Sequence, residues 1–290
     1  MRKFSRILLP VFAIIISPVL RAQEIPDSTG LPGDNFNLEG AIEMFRKASS
    51  PEEFEKMINT ENNGVNNLDL DNDGNIDYIK VIDKMEGDAH AFVLQDAVSE
   101  TENQDIAVIE LEKKGESNAV LQIIGDEDLY GEESIVEPSS DEAVGFMSPN
   151  AMITHGPNVD GMDDANNNGI IVNVWMWPVV RFVYAPGYVV WVSPWRWRMY
   201  PVWWHPWRPL GWRFFYPHRA VYVSHYTVVT THRLFRAQRI YRPVRVTSVT
   251  VRTRNQATVG RYRTTTRTTI QGPRRKVRMQ RTRGVRRGRY

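Results

Sequence analysis

Ile76-Asp77-Tyr78-Ile79-Lys80-Val81-Ile82-Asp83-Lys84 and, after four intervening residues, Ala89-His90-Ala91-Phe92-Val93-Leu94-Gln95 decide the fold. Both runs are β-branched or alternate apolar with polar residues, and Glu86-Gly87-Asp88 between them is a turn signal. Residues 65–70, 105–113 and 118–124 have the same character and are separated by Gly, Asp, Asn or Glu clusters. Connections this short favour an antiparallel meander, because parallel strands need long crossovers. Upstream, Leu38, Ala41, Ile42, Phe45 and Ala48 recur at helical spacing and predict a helix over 38–48. Ser50-Pro51-Glu52-Glu53 then supplies an N-cap, a proline at the first helical position and a glutamate at the third, which is a capping box. It opens a second helix with Phe54, Met57 and Ile58 on its apolar face. Two helices laid on one face of the sheet bury a single core, an α+β architecture.

Charge divides the chain of 290 residues. Its 36 Lys+Arg and 34 Asp+Glu nearly cancel, to +2, yet every acid lies between Glu24 and Asp164. Only seven bases share that stretch, which leaves it at −27, while residues 171–290 carry 25 bases and no acid. The expected layout is therefore an acidic α+β domain over 23–137, a linker over 138–169, a Trp/Tyr/Arg-rich region over 170–244 and a disordered Arg/Thr-rich tail over 245–290. The absence of cysteine excludes a disulfide scaffold, a zinc ribbon, a thiol nucleophile and a lipid-anchored N-terminal Cys. No apolar run approaches the roughly 20 residues of a membrane-spanning helix.

The first 22 residues read as a secretory signal peptide. Met1–Arg6 is basic, Ile7–Leu20 is an apolar run of 14 residues, and Leu20-Arg21-Ala22 suits cleavage after Ala22. The mature protein is then free in the periplasm, on the cell surface or outside.

The first hairpin opens with Asp69-Leu70-Asp71-Asn72-Asp73-Gly74-Asn75-Ile76-Asp77. Hard cations take several oxygens at about 2.3–2.6 Å. Asp69, Asp71, Asp73 and Asp77 supply carboxylates, Asn75 a carbonyl, Gly74 the sharp turn and Ile76 an aliphatic anchor, so these residues are the candidate ligands of a structural Ca2+. Lys80 stands where an EF-hand places its bidentate Glu, and the residues after the loop read as a strand. The motif therefore resembles the DxDxDGxxD calcium loops of β-hairpin proteins, such as integrin-type propeller repeats, more than a helix–loop–helix hand. The alternative is a polar hairpin tip turning on Asp73-Gly74, but a turn does not need four mutually repelling carboxylates. Asp164-Ala165-Asn166-Asn167-Asn168-Gly169 is a fainter echo of the motif.

All nine Trp lie between Trp175 and Trp212. Residues 170–184 and 188–192 flank Ala185-Pro186-Gly187 and can pair as a hairpin. Beyond them, frequent proline forbids a continuous helix and favours an extended, turn-rich path. The candidate binding residues are Trp195, Arg196, Trp197, Arg198, Trp203, Trp204, Trp207, Arg208, Trp212 and Arg213. Trp favours membrane–water interfaces and Arg holds phosphate bidentately. Residues 194–215 are similar in composition to tryptophan-rich membrane-active peptides. The opposite reading packs the Trp residues as an aromatic core and neutralises the Arg run against the acidic half. His205, His218, His225 and His232 raise a second, weaker metal option. No HExxH, GxSxG, P-loop or dinucleotide glycine motif is present.

Three segments carry a resemblance: Asn66–Asp71 running into Asp77-Tyr78-Ile79-Lys80-Val81, then Gln122–Gly131 with its Gly125-Asp126-Glu127-Asp128-Leu129-Tyr130 centre, then Val183–Trp195. Together they resemble a group of exported proteins from Bacteroidota to which no activity is assigned. The resemblance implies an envelope or secreted location. The expectation is a non-enzymatic exported envelope protein. It carries a calcium loop and a basic aromatic segment that binds an anionic envelope component: lipopolysaccharide, anionic lipid or acidic glycan. Nucleic acid is a less suitable partner for an exported chain. The competing expectations are a structural protein whose halves pair intramolecularly and an envelope-glycan hydrolase.

Overall fold

The computed structural model describes residue 25 and residues 27–139 and 171–266. The signal peptide, nearly all of the 138–169 linker with its echo motif, and the end of the basic tail lie outside the described residues. The architecture is α+β. Six antiparallel strands follow one another across a single sheet in chain order: β1 Ile79–Glu86, β2 Ala89–Asp96, β3 Gln104–Gly115, β4 Asn118–Gly125, β5 Ser134–Pro138 and β6 Tyr226–Val229. The meander expected of residues 76–124 is present, with Gly87 at φ +58° turning β1 into β2. Only glycine takes that left-handed conformation without steric cost.

Helix α1 (Leu38–Lys47) is capped by the Asn37 side chain, which accepts from Gly40 N. Helix α2 (Pro51–Ile58) is capped by Ser50, which accepts from Glu53 N, while Glu53 reaches back to Ser49 N. Ile42 and Phe45 of α1 and Phe54 and Ile58 of α2 meet Ile79, Val81, Phe92, Leu94, Ile109 and Leu111 in one fully buried core. Fully burying an apolar side chain of this size contributes about 1.5–3 kcal/mol, so this face holds the domain together.

The opposite face of the sheet is covered too. Ala91, Val93, Val108, Ile124 and Ile135 pack against Tyr241, and Ala89 and Val120 against Leu234 and Ala237. These partners belong to or flank a helix of the basic half, Phe235–Tyr241. The basic half also donates β6, whose Thr227 and Val228 pair with Glu137 and Val136. The two charge regimes therefore share one sheet.

Three local expectations are corrected. Residues 65–70 form no strand, only an isolated bridge between Phe36 and Asn66. Asn63, Asn66 and Asn67 bond the backbone through their side chains there, and such bonds compete with a strand ladder. Residues 170–184 are not the arm of a hairpin. After Α short extended start, Pro178 opens helix α4 (Pro178–Val183), which buries Val179, Val180 and Val183, because proline at the first helical position preorganises the turn. Residues 191–193 instead run along the β1 edge, where Asp83 N donates to Trp191 O at 2.8 Å and Ser193 N to Val81 O at 3.0 Å. That covering removes an open sheet edge.

The third correction concerns the basic tail. From Arg245 to Thr266 the chain is ordered, and residues 249–266 are helical. Ser248 Oγ accepts from Val251 N at that helix's start, and Val251 is fully buried. Arginine and threonine conceal the apolar face because only Val251 and Val259 are buried on it. No helix among the described residues is long and apolar enough to cross a membrane. We name the remaining helices in chain order: α3 Glu127–Tyr130, α5 Trp212–Ala220, α6 Phe235–Tyr241 and α7 over 249–266.

Candidate functional site

The aspartate loop folds on its own side chains. Asp69 accepts from the backbone N–H groups of Asp73 and Gly74, both at 3.1 Å, and Asp71 Oδ1 accepts from Asp73 N at 2.9 Å. Asp73 Oδ1 accepts from Asn75 N at 2.8 Å, and Asp77 from Leu70 N. Asn72 at φ +62° and Gly74 at φ +85° make the turns. The result gathers three of the four expected carboxylates: oxygens of Asp69, Asp71 and Asp77 lie within 4.8 Å of one another, the spacing of groups that can share one cation. Asp73 points to solvent outside this trio, and Asn75 is half-buried. Ile76 is buried as the expected anchor, and its N–H donates to Trp207 O at 2.7 Å.

Burial and neighbouring like charges act together on the carboxyls at this end of the sheet. Burial, then the Asp96 charge, pushes the Asp77 carboxyl far above the usual carboxylate range. Asp96 is raised by burial and then by Asp71, and Asp71 by burial and then by Asp73 and Asp69. Asp96 is the residue that sequence reading missed. It stands opposite Ile79 across the β1–β2 ladder, so counting back along the hairpin from Gly87 would have brought it beside the loop.

An aromatic cluster from the basic half closes over this end. Trp204 is buried with its ring 4.5 Å from Tyr200, 5.2 Å from Tyr78 and 6.1 Å from Trp207. Such tilted and edge-on pairs add to plain area burial. Of the proposed binding tryptophans, then, Trp204 is core, whereas Trp195, Trp197, Trp207 and Trp212 are half-buried and Trp203 is exposed. Lys56 Nζ lies 5.6 Å above the Trp203 ring.

The arginines fall into two populations. Arg196, Arg198, Arg208 and Arg213 are exposed, and none has an ion pair among the described residues. A tight turn bridged by Arg196 and Met199 presents Trp197 and Arg198 at its tip, with Arg198 at φ +55° and its guanidinium 5.2 Å from the Trp197 ring. Beside them Met199, Val202 (94% exposed) and Trp203 form an uncovered apolar rim. Several later arginines are paired with the acidic half. Arg245 grips Asp126 through two nitrogens, at 2.6 and 3.0 Å, and also reaches Glu127 and Asp128. Arg233 meets Glu137 at 3.0 Å, Arg236 meets Glu112 at 3.1 Å, and Arg252 meets Asp128 at 3.0 Å.

A cavity of about 410 Å³ lies where these halves meet. Glu110 is buried in its wall with Oε2 on His232 Nε2 at 2.5 Å, Gln238 sits on His232 Nδ1, and Glu110 Oε1 has no partner. Burial raises the Glu110 carboxyl, against the pull of His232. The wall holds the carboxyl groups of Glu110, Asp126, Glu127 and Glu133 together with the Tyr241 ring. His205, His218 and His225 are exposed, and no His joins a metal-binding cluster among the described residues. Compared with known proteins, the chain matches no family model, no curated protein and no solved structure.

Proposed function

We propose that this is an exported, non-enzymatic envelope protein in which a calcium-supported acidic domain displays an aromatic–arginine face toward an anionic envelope component. The signal-like N-terminus supports export. One observation carries the binding reading: Arg196, Arg198, Arg208 and Arg213 are exposed with no ion pair among the described residues, in the segment that also exposes Met199, Val202 and Trp203. Guanidinium forks suit phosphate and carboxylate, and the neighbouring rings and aliphatics suit the edge of an acyl or sugar layer. Lipopolysaccharide, anionic lipid and acidic glycan share that chemistry.

The test uses the intact mature protein and vesicles of phosphatidylglycerol with phosphatidylcholine. Binding is expected to fall steeply with added salt, since charges more than a Debye length apart are screened. It is also expected to weaken when Arg196 and Arg198 are both replaced by Ala. No binding at low salt overturns the proposal.

A second reading has its own observation. The pairing of Arg233, Arg236, Arg245 and Arg252 with Glu137, Glu112, Asp126 and Asp128 supports a structural role in which the basic half serves the fold alone. That reading expects the intact protein to ignore anionic vesicles, lipopolysaccharide and acidic glycans at every salt concentration.

A further inference from the structure

The aspartate loop has a gap in its ligand set. Lys80 occupies the place where a helix–loop–helix hand carries its bidentate glutamate, and Lys80 Nζ is turned to Asn103 Oδ1 at 2.7 Å. The β1–β2 register brings a different carboxylate to the same end of the sheet. Asp96, the last residue of β2, pairs with Ile79 and so lies diagonally across from Asp77. Its side chain neighbours the Asp77 carboxyl and feels the Asp71 charge, and its oxygens lie outside the 4.8 Å spacing that Asp69, Asp71 and Asp77 share. Only 2% of Asp96 is exposed, and its Oδ2 has no hydrogen-bond partner among the described residues.

A carboxylate oxygen buried without a partner is costly, because desolvation is uncompensated. Lys80 acts on Asp96 electrostatically but forms no ion pair with it, so it offsets this cost only in part. A hard cation needs more oxygens than the trio supplies, and Asp96 offers one that nothing else uses.

We propose that the Asp96 side chain turns toward the loop and becomes a ligand of the same divalent cation as Asp69, Asp71 and Asp77, supplying from the adjacent strand the carboxylate that the loop itself lacks. The inference rests on reading the loop as a cation site. It explains how a loop with lysine at its twelfth position still completes a coordination shell: the strand pairing delivers the ligand, and no exiting helix is needed. It also links the cation to the sheet, since Asp96 terminates β2 and Asp77 precedes β1.

The experiment is calorimetric titration of the mature protein with Ca2+, with Tb3+ luminescence sensitised through Trp204 and Trp207 as a second readout. Four chains are compared: wild type, Asp71→Ala, Asp96→Asn and Asp96→Ser. Wild type is expected to bind, Asp71→Ala to lose binding, and both Asp96 variants to bind at least about tenfold more weakly. Without cation, the Asp96 variants are expected to melt no lower than wild type, because a buried carboxylate without a full set of partners has been removed; two variants keep the result readable if one folds poorly. Wild-type affinity in the Asp96 variants, with loss in Asp71→Ala, overturns the role of Asp96 and leaves the loop site standing. No binding of either ion by wild type overturns both.

Discussion

Asp126-Glu127-Asp128 and the Asp69–Asp77 loop concentrate similar negative charge, yet the chain treats them differently. The first cluster, at α3, is neutralised from within: Arg245 holds Asp126 and reaches its two neighbours, Arg252 adds to Asp128, and Arg263 approaches Glu127. In the second, among the described residues, the hydrogen bonds to the loop aspartates come from backbone N–H groups. The guanidinium nearest to it, Arg254, gives Nη1 to the Leu70 carbonyl at 2.6 Å and makes no ion pair with any loop aspartate among the described residues. Arginine from the same helical segment thus serves one acidic cluster as counter-ion and the other as a backbone brace. The chain itself neutralises α3; under the proposal above, a cation takes that role at the loop.

The largest effect is expected where neutralisation is internal. Arg245→Ala strands the buried Asp126 carboxylate. It should cost about 2–3 kcal/mol in denaturant unfolding, less than a fully buried pair because 26% of the Arg245 side chain meets solvent. A loss below about 0.5 kcal/mol would erase the contrast between the clusters.

Next comes the loop. Calcium at about 100 times its dissociation constant should stabilise wild type by about 2.7 kcal/mol, and Asp71→Ala should abolish the difference in melting temperature with and without calcium. An equal calcium effect in both chains would point to a cation elsewhere.

A smaller effect, of the order of 1 kcal/mol per pH unit, separates two carboxylates outside these clusters. Burial pushes Asp105 up to about 6, against donors from Gln95, Val246 and Tyr241. Its folded pKa is above the unfolded one, so its contribution is full below the unfolded value and is lost as pH rises through about 6. Glu43 is the reverse. Burial would raise it, but hydrogen bonds from Arg46, Tyr226 and Lys47 hold it down at about 2, so its contribution is present above the unfolded value and is lost as pH falls toward about 2. Melting temperature against pH, compared between wild type and Asp105→Asn, should draw apart between about pH 4 and about pH 6, wild type losing stability relative to the variant, and keep that gap above about pH 6.

The smallest stability effect belongs to the unpaired arginines. Arg196→Ala and Arg198→Ala should each change unfolding free energy by no more than about 0.5 kcal/mol, as exposed side chains without ion pairs do. A larger loss in either would place that residue with the internally neutralised population.

The helices and central strands were legible because their signals are local. Leu38, Ile42 and Phe45 repeat at helical spacing, Ser50 and Pro51 announce α2, and the Gly87 turn separates two β-branched runs. The loop trio was legible for the same reason, since Asp69, Asp71 and Asp77 lie within one short segment. Residues 65–70 misled because an alternating pattern does not show that asparagine side chains will take the backbone hydrogen bonds. The Val-rich stretch after Trp177 misled because β-branched residues also pack on a short helix when proline starts it.

By itself the sequence determined the charge division, the α+β class, the caps and the loop, all of which depend on neighbours along the chain. Tertiary structure alone decided that the basic half completes the sheet through β6, covers its second face through α6 and neutralises α3 through Arg245. It also decided which tryptophans are buried and that Asp96 stands beside Asp77. The physical reason is common to these cases: each depends on a contact between residues distant in sequence, and such contacts are set by strand register and by burial of charge and apolar surface together.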